Sequence, residues 1–269
     1  MRCGPFGKSA LGLLNCMFAD ADRAPSMKIA LISDIHSNIE ALTTALAYLD
    51  DAGVDQIICL GDIVGYGADP NPCCELIRER CDVTLMGNHD AAVIGQMNTD
   101  YYYEAAREAI RWTRQVMSPE NFQWLYSLPY SHVISNAAFF HSAPLRPSGF
   151  YYVVETKDAQ AHTPIFDRLR PWNFVGHSHL TQCFMLTDRR AKDVTGKTLK
   201  VKDGQKLIIN VGSVGQPRDR DARLCFGLFD SEAETFEHVR LHYDIASTAQ
   251  KITDAGLDSK FAKRLFIGH

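Results

Sequence analysis

Three short β-branched runs set the frame of this chain: KIALIS (Lys28–Ser33), QIICL (Gln56–Leu60) and VTLM (Val83–Met86). After the first, SNIEALTTALAYLD (Ser37–Asp50) repeats apolar residues three and four apart, the spacing of a helix with one buried face. Ser37 and Glu40 have the spacing of a capping box at its start. The turn-rich GDIVGYGADPNP leads from the second run into a helix expected from about Cys73 to Arg80. Strand, helix and strand in this order make βαβ units, which predict a largely parallel sheet core.

The second half reads differently. TDYYYEAAREAIRWTRQVMSPENFQWLYSL, within about 98–130, predicts an inserted aromatic-rich helical pair with Thr99 and Ser118 as N-caps and Pro119 at a first helical position. Strands resume at HVISNAAFFH, WNFVGH, KLIINVGS, RLCFGLFD and FEHVRLHY, many of them antiparallel. KVKDGQKL reads as a hairpin, because Asp-Gly suits a tight type I′ turn. The mixed-charge stretch Asp188–Lys206 reads as a solvated loop and hairpin, and a closing helix from about Ile245 to Ile267 is expected to break at Gly256. Residues 27–269 are thus expected to form one domain.

Composition excludes several classes of partner. The chain has 269 residues and a net charge of −4, so it lacks the basic footprint that neutralises a phosphate backbone, and no standing nucleic-acid partner is expected. No apolar run approaches the roughly 20 residues that cross a bilayer. The eight cysteines are scattered without a CxxC pair, which reads as reduced thiols in the cytoplasm. Residues 1–26 imitate a secretory signal poorly, and Asn15 disfavours lipid attachment at Cys16. They are expected to be an extension outside the core, since Met27 opens a complete strand pattern.

Polar residues follow the strands with a regularity that matters more. Asp34 and His36 come after the first run, Asp62 after the second, Asn88 and His89 after the third, His141 after a later one, and His177 with His179 after WNFV. Each alone has an ordinary explanation as a turn former, an αL residue or a satisfied histidine. Together they place oxygen and nitrogen donors at one edge of the sheet, where open α/β folds build ligand sites. Such donors suit Mn, Fe, Zn, Co or Ni better than calcium. Their number fits two divalent ions rather than one, with a carboxylate free to bridge.

DIHSN, GDIVGYG, GNHD, HSAP and GHSH resemble, in order and interval, the five blocks of the calcineurin-like metallophosphoesterase superfamily. DIVGYGADPNP and NVGSVGQPRDRD are similar to its compact bacterial and archaeal phosphodiesterase branch, often labelled diadenosine-tetraphosphatase-like. The resemblance implies a four-layer α/β/β/α sandwich of two mixed sheets, with the helical pair as a small insertion. It implies that Asp34, His36 and His179 hold a first metal, that Asn88, His141 and His177 hold a second, and that Asp62 bridges both, with Mn foremost among the candidate ions. His89 would steady the transition state and protonate the leaving oxygen, after in-line attack by a metal-bridging hydroxide on a phosphomonoester, phosphodiester or nucleotide-like substrate.

Other residues bear on the substrate. Arg218 in GQPRD and Arg146 in SAPLRPSG are candidates for gripping a second phosphate, because a guanidinium offers a planar fork to phosphate oxygens. The aromatic residues Tyr101, Tyr102, Tyr103, Trp112, Phe122 and Trp124 either roof the site or, the plainer reading, pack the helical pair onto the sheet. Gly212, Ser213 and Gly215 are expected to shape a close backbone approach rather than act through side chains. Two alternatives stand beside the small-molecule enzyme. One is a binding scaffold of the same fold, which the complete set of candidate ligands disfavours. The other is a protein phosphatase, which Met86 disfavours, since it replaces the arginine those enzymes carry before the GNH block.

Overall fold

The computed structural model describes residues 27–269, so the readings of the first 26 residues lie outside the described part of the chain. Strands β1 (Lys28–Ile32), β2 (Gln56–Cys59) and β3 (Val83–Thr84) alternate with helices α1 (Ile39–Ala52) and α2 (Pro70–Arg80). Helices α3 (Asn88–Val93), α4 (Glu104–Val116) and α5 (Pro119–Leu125) follow, then strands β4 (Ser131–Ile134) and β5 (Ala137–Phe140). A short helix α6 (Thr156–Gln160) precedes β6 (Trp172–Val175), β7 (Cys183–Leu186), β8 (Ala191–Asp193) and β9 (Lys206–Asn210). The chain closes with β10 (Leu224–Asp230), β11 (Thr235–Leu241), α7 (Ile245–Asp254) and α8 (Ser259–Leu265).

The strands form two mixed sheets, ordered β11-β10-β1-β2-β3 and β4-β5-β6-β9-β7-β8. β1, β2 and β3 run parallel, while β10 runs antiparallel beside β1. In the second sheet β5, β6 and β9 run parallel. Period-two alternation divides each strand between two cores. Ile29, Leu31, Ile58 and Leu60 meet Phe139, Trp172 and Phe174 between the sheets, whereas Ala30, Ile32, Ile57 and Cys59 face Leu42 and Leu46 of α1. On the far side Phe184 and Ile208 pack against Ala159 of α6 and Leu169, a thinner outer layer. This is the expected four-layer arrangement.

Local differences from the sequence reading have physical causes. Asn38, not Ser37, caps α1, its side chain accepting from the Ala41 N–H at 3.1 Å. Ser37 sits at φ 54° in the preceding loop, and Glu40 is drawn to Thr248 and Lys251 of α7, so no capping box forms. α4 starts after Tyr103 rather than at Thr99, while Ser118 caps α5 as expected. HVISNAAFFH is two strands of a hairpin turning at Ser135, which has φ 51°. KVKDGQKL makes a turn but no hairpin: β9 pairs with β6 and β7, and β7 pairs with β8. Gly256, at φ 71°, divides α7 from α8 as expected.

Phe174, fully buried between the sheets, packs on Phe139, Phe229 and Phe236 at centroid distances of 5.6, 5.0 and 5.4 Å. Phe174→Ala is expected to cost about 3–5 kcal/mol of folding stability. Urea unfolding followed by circular dichroism checks this, and a loss below about 1 kcal/mol would mean the sheets do not depend on this layer.

Candidate metal centre

The loops leaving β1, β2, β3, β5 and β6 converge at one edge of the two sheets. There Asp34, His36, Asp62, Asn88, His89, His141, His177 and His179 are all buried. Five of them hold left-handed backbone conformations: Asp34 and Asp62 at φ 54°, His36 at 50°, His177 at 67° and His179 at 59°. Non-glycine residues adopt such angles at a cost, and surrounding contacts must enforce them. The Asp34 N–H donates to the Gly61 carbonyl at 2.9 Å and the His36 N–H to the Asp62 carbonyl at 2.9 Å, tying the first two loops together. Glycines allow the close approach. A Cβ on Gly87 would lie 2.1 Å from the Asp62 nitrogen, and one on Gly215 would lie 1.7 Å from the Ile35 carbonyl oxygen.

Within the cluster, acceptors face acceptors. His36, His141 and His179 each present Nδ1 to a backbone carbonyl, of Val64 at 3.2 Å, of Leu60 at 3.1 Å and of Gln216 respectively. Donation from Nδ1 leaves the neutral rings of His36 and His179 with their Nε2 lone pairs directed inward. Those of His36 and His179 lie 3.1 Å apart, and His179 Nε2 is 3.3 Å from Asp34 Oδ1. His141 Nε2 faces Asn88 Oδ1 at 3.1 Å, while the Asn88 amide nitrogen is taken by the Tyr102 hydroxyl. Asp62 Oδ2 lies between the halves, 3.7 Å from His36 Nε2 and 3.5 Å from His141 Nε2. His177 Nε2 and His89 Nδ1 are buried without hydrogen-bond partners.

The electrostatics agree. Burial holds the His36 and His179 imidazoles well below their ordinary range and His177 down to about 3, so all three are neutral and free to ligate. Burial opposes protonation of His141 as well, but the Asp62 charge outweighs it and lifts that ring to about 9. Asp34 is raised to about 7, chiefly by burial. Burial would also raise Asp62, yet the neighbouring His141 and His89 hold it well below the usual carboxylate range. Three overlapping groups, Asp34–His36–His179, His36–Asp62–His89 and Asp62–His141–His177, each bring their ligand atoms within 4.8 Å of one another. Crowded lone pairs, orphaned nitrogens and a carboxylate shared between two groups fit divalent cations.

The domain model for the calcineurin-like phosphoesterase superfamily matches residues 27–234. The chain belongs to this superfamily. An uncharacterized protein of Methanocaldococcus jannaschii is 37% identical over 246 residues, covering 89% of this chain and 98% of that one. A metallophosphoesterase from Sphaerobacter thermophilus superposes with a TM-score of 0.76 at 36% identity, covering 91% of this chain and all of its own. A hypothetical protein from Pyrococcus horikoshii OT3 has the same fold, with a TM-score of 0.72 at 18% identity over 90% of this chain and 98% of that chain.

Around the cluster the structure sorts the remaining sequence candidates. Arg218 lies half-buried beside it, its N–H bonded to the His179 carbonyl at 3.2 Å and its guanidinium 5.6 Å from the Tyr66 ring. It does not pair with Asp219, which bonds Arg240 instead. Arg146 is exposed, and its side chain makes no hydrogen bond or ion pair among the described residues. Of the aromatic insertion, Phe122 and Trp124 pack into the core, Tyr101 is 92% exposed, and Tyr102 stacks on His89 at 5.5 Å. Gly215 makes the close approach expected of it, whereas Ser213 acts through its side chain, donating to the Asp34 carbonyl at 2.8 Å.

Three residues were missed. Tyr66 packs on His36 and His89 at 4.7 and 4.3 Å, and Tyr152 stacks on His177 at 3.9 Å. Tyr66 stands inside the quoted GDIVGYG, whereas nothing in the sequence marks Tyr152. The third is Asp90, last residue of GNHD, whose carboxylate accepts from the N–H groups of Asp62, Ile63, Val64 and Gly87 at 2.9, 3.0, 3.2 and 3.0 Å. It therefore fixes the strained Asp62 backbone. Asp90→Asn replaces one acceptor oxygen by a donor and is expected to weaken Mn binding about 10–100-fold. Calorimetric titration of metal-stripped protein measures this, and wild-type affinity in the variant would remove Asp90 from the positioning of the centre.

Proposed function

We propose that this chain is a dinuclear-metal-dependent phosphoesterase acting on a nucleotide-like phosphoester. The observation that carries the reading is the inward-facing cluster of ligand atoms with Asp62 between its halves. In this reading Asp34, His36 and His179 hold one ion, Asn88, His141 and His177 hold the other, and Asp62 contacts both. Two divalent ions, when bound, would neutralise phosphoryl charge and make a water nucleophilic at neutral pH. Asn88 contributes a neutral carbonyl oxygen, which limits the negative charge facing an anionic substrate. His89 keeps a ring nitrogen unpartnered beside His36 and Asp62, available to hydrogen-bond a phosphoryl oxygen. Arg218 stands on the His179 side of the cluster, where its fork can take a second phosphate.

Aromatic surfaces support a ring-bearing substrate. Tyr152, 52% exposed, stacks on His177 and also lines a cavity of about 430 Å³ with Ala143, Leu145, Tyr151 and His162. A base or other planar group placed there would lie beside the cluster. We further assign the protein to the cytoplasm: the six described cysteines are free, and no described helix is long and apolar enough to cross a membrane.

The test compares bis-p-nitrophenyl phosphate with p-nitrophenyl phosphate after metal stripping and Mn readdition. Metal-restored release is expected from both wild type and, at a rate about 10²–10⁴-fold lower with metal still bound, His89→Ala. Release indifferent to metal, or undiminished in His89→Ala, would sink the assignment.

A further inference from the structure

Two guanidinium groups meet at the side chain of Gln216. Arg218 Nη2 donates to Gln216 Oε1 at 2.8 Å, and Arg264 Nη1 of α8 donates to the same oxygen at 3.0 Å. Gln216 is buried, and its backbone carbonyl is the one that holds His179 Nδ1. The pair therefore stands next to the candidate metal centre. Among the described residues neither arginine forms an ion pair with a carboxylate: Asp219 is taken by Arg240, and Asp221 by Arg223 and Arg240. A neutral amide oxygen satisfies one donor from each fork but leaves two like charges close together without an anion between them. Arg218 Nε is buried and has no hydrogen-bond partner.

Uncompensated positive charge with unused planar donors is the chemistry that recognises a phosphoryl group. We propose that Arg218 and Arg264 together form a subsite for a second phosphoryl group of the substrate, adjacent to the one held at the metal centre. The inference rests on the phosphoesterase reading and narrows it: the substrate class is a nucleotide with a phosphoanhydride or a second phosphate, rather than a simple monoester. Arg264 lies beyond residues 27–234, the segment that matches the superfamily domain, so α8 brings to the site a charge from outside that domain.

Calorimetric titration of the full-length, Mn-loaded protein with AMP and with ADP tests the subsite. The wild type is expected to bind ADP about tenfold or more tighter than AMP, the worth of one charge-assisted hydrogen bond or more. In Arg264→Gln the loss for ADP should exceed the loss for AMP by a similar factor, and Arg264→Lys, which keeps the charge, should retain part of the preference. Equal wild-type affinity for the two nucleotides, or equal losses in Arg264→Gln, would overturn the subsite and leave Arg264 a tether of α8. Turnover of bis-p-nitrophenyl phosphate by the wild type reads the phosphoesterase assignment separately. An Arg264-dependent ADP preference without diester turnover keeps the subsite and removes the enzyme, and the reverse pattern removes the subsite alone.

Discussion

The centre depends on one constraint: the buried acceptors of His36, His179 and Asp34 face each other across about 3 Å and need positive charge between them. His36 and His179 are each committed at Nδ1 to a backbone carbonyl and are kept neutral by burial, so their Nε2 atoms remain acceptors facing inward. Asp62 takes part in both halves, and its charge already draws a proton toward His141. The carbonyls that fix the rings belong to the same loops that carry Asp62 and Arg218.

Holding such a cluster demands a rigid frame. Five ligand candidates with left-handed backbone angles stay there because the loops between them are hydrogen-bonded to one another and because Asp90 gathers four N–H groups around Asp62. The parallel strands beneath deliver every loop to the same edge. The helices beyond the superfamily domain reinforce this: Lys251 of α7 bonds Asp69 at 2.9 Å and also pairs with Glu40, Phe261 of α8 packs on Tyr66 at 4.8 Å, and Arg264 reaches Gln216. Site and frame are thus one network of polar contacts rather than a pocket laid on a finished fold.

Much of this was legible in the sequence because period and punctuation are local. β-branched runs ending in Asp, Asn or His gave both the strands and the edge at which the ligands gather. The helix caps were less legible: Asn38 outcompeted Ser37 because Ser37 is held in a loop whose partner, Ile63, is remote in sequence. β7, α6 and the pairing of β9 depend on contacts across the second sheet that no local pattern encodes. Tyr152 and Arg264 were invisible for the same reason, since their meaning comes from His177 and Gln216, which are distant neighbours along the chain. Asp90 stood in a quoted motif, yet its role is to hold backbone, and backbone partners leave no trace in residue identity.

The central claim is that Asp62 joins two cation sites into one centre. Counting Mn per chain by plasma mass spectrometry after equilibrium dialysis, for wild type and for Asp62→Ala, tests it most directly. The account predicts two ions per wild-type chain and the loss of at least one in the variant. A single ion in the wild type, or two in both proteins, would contradict it.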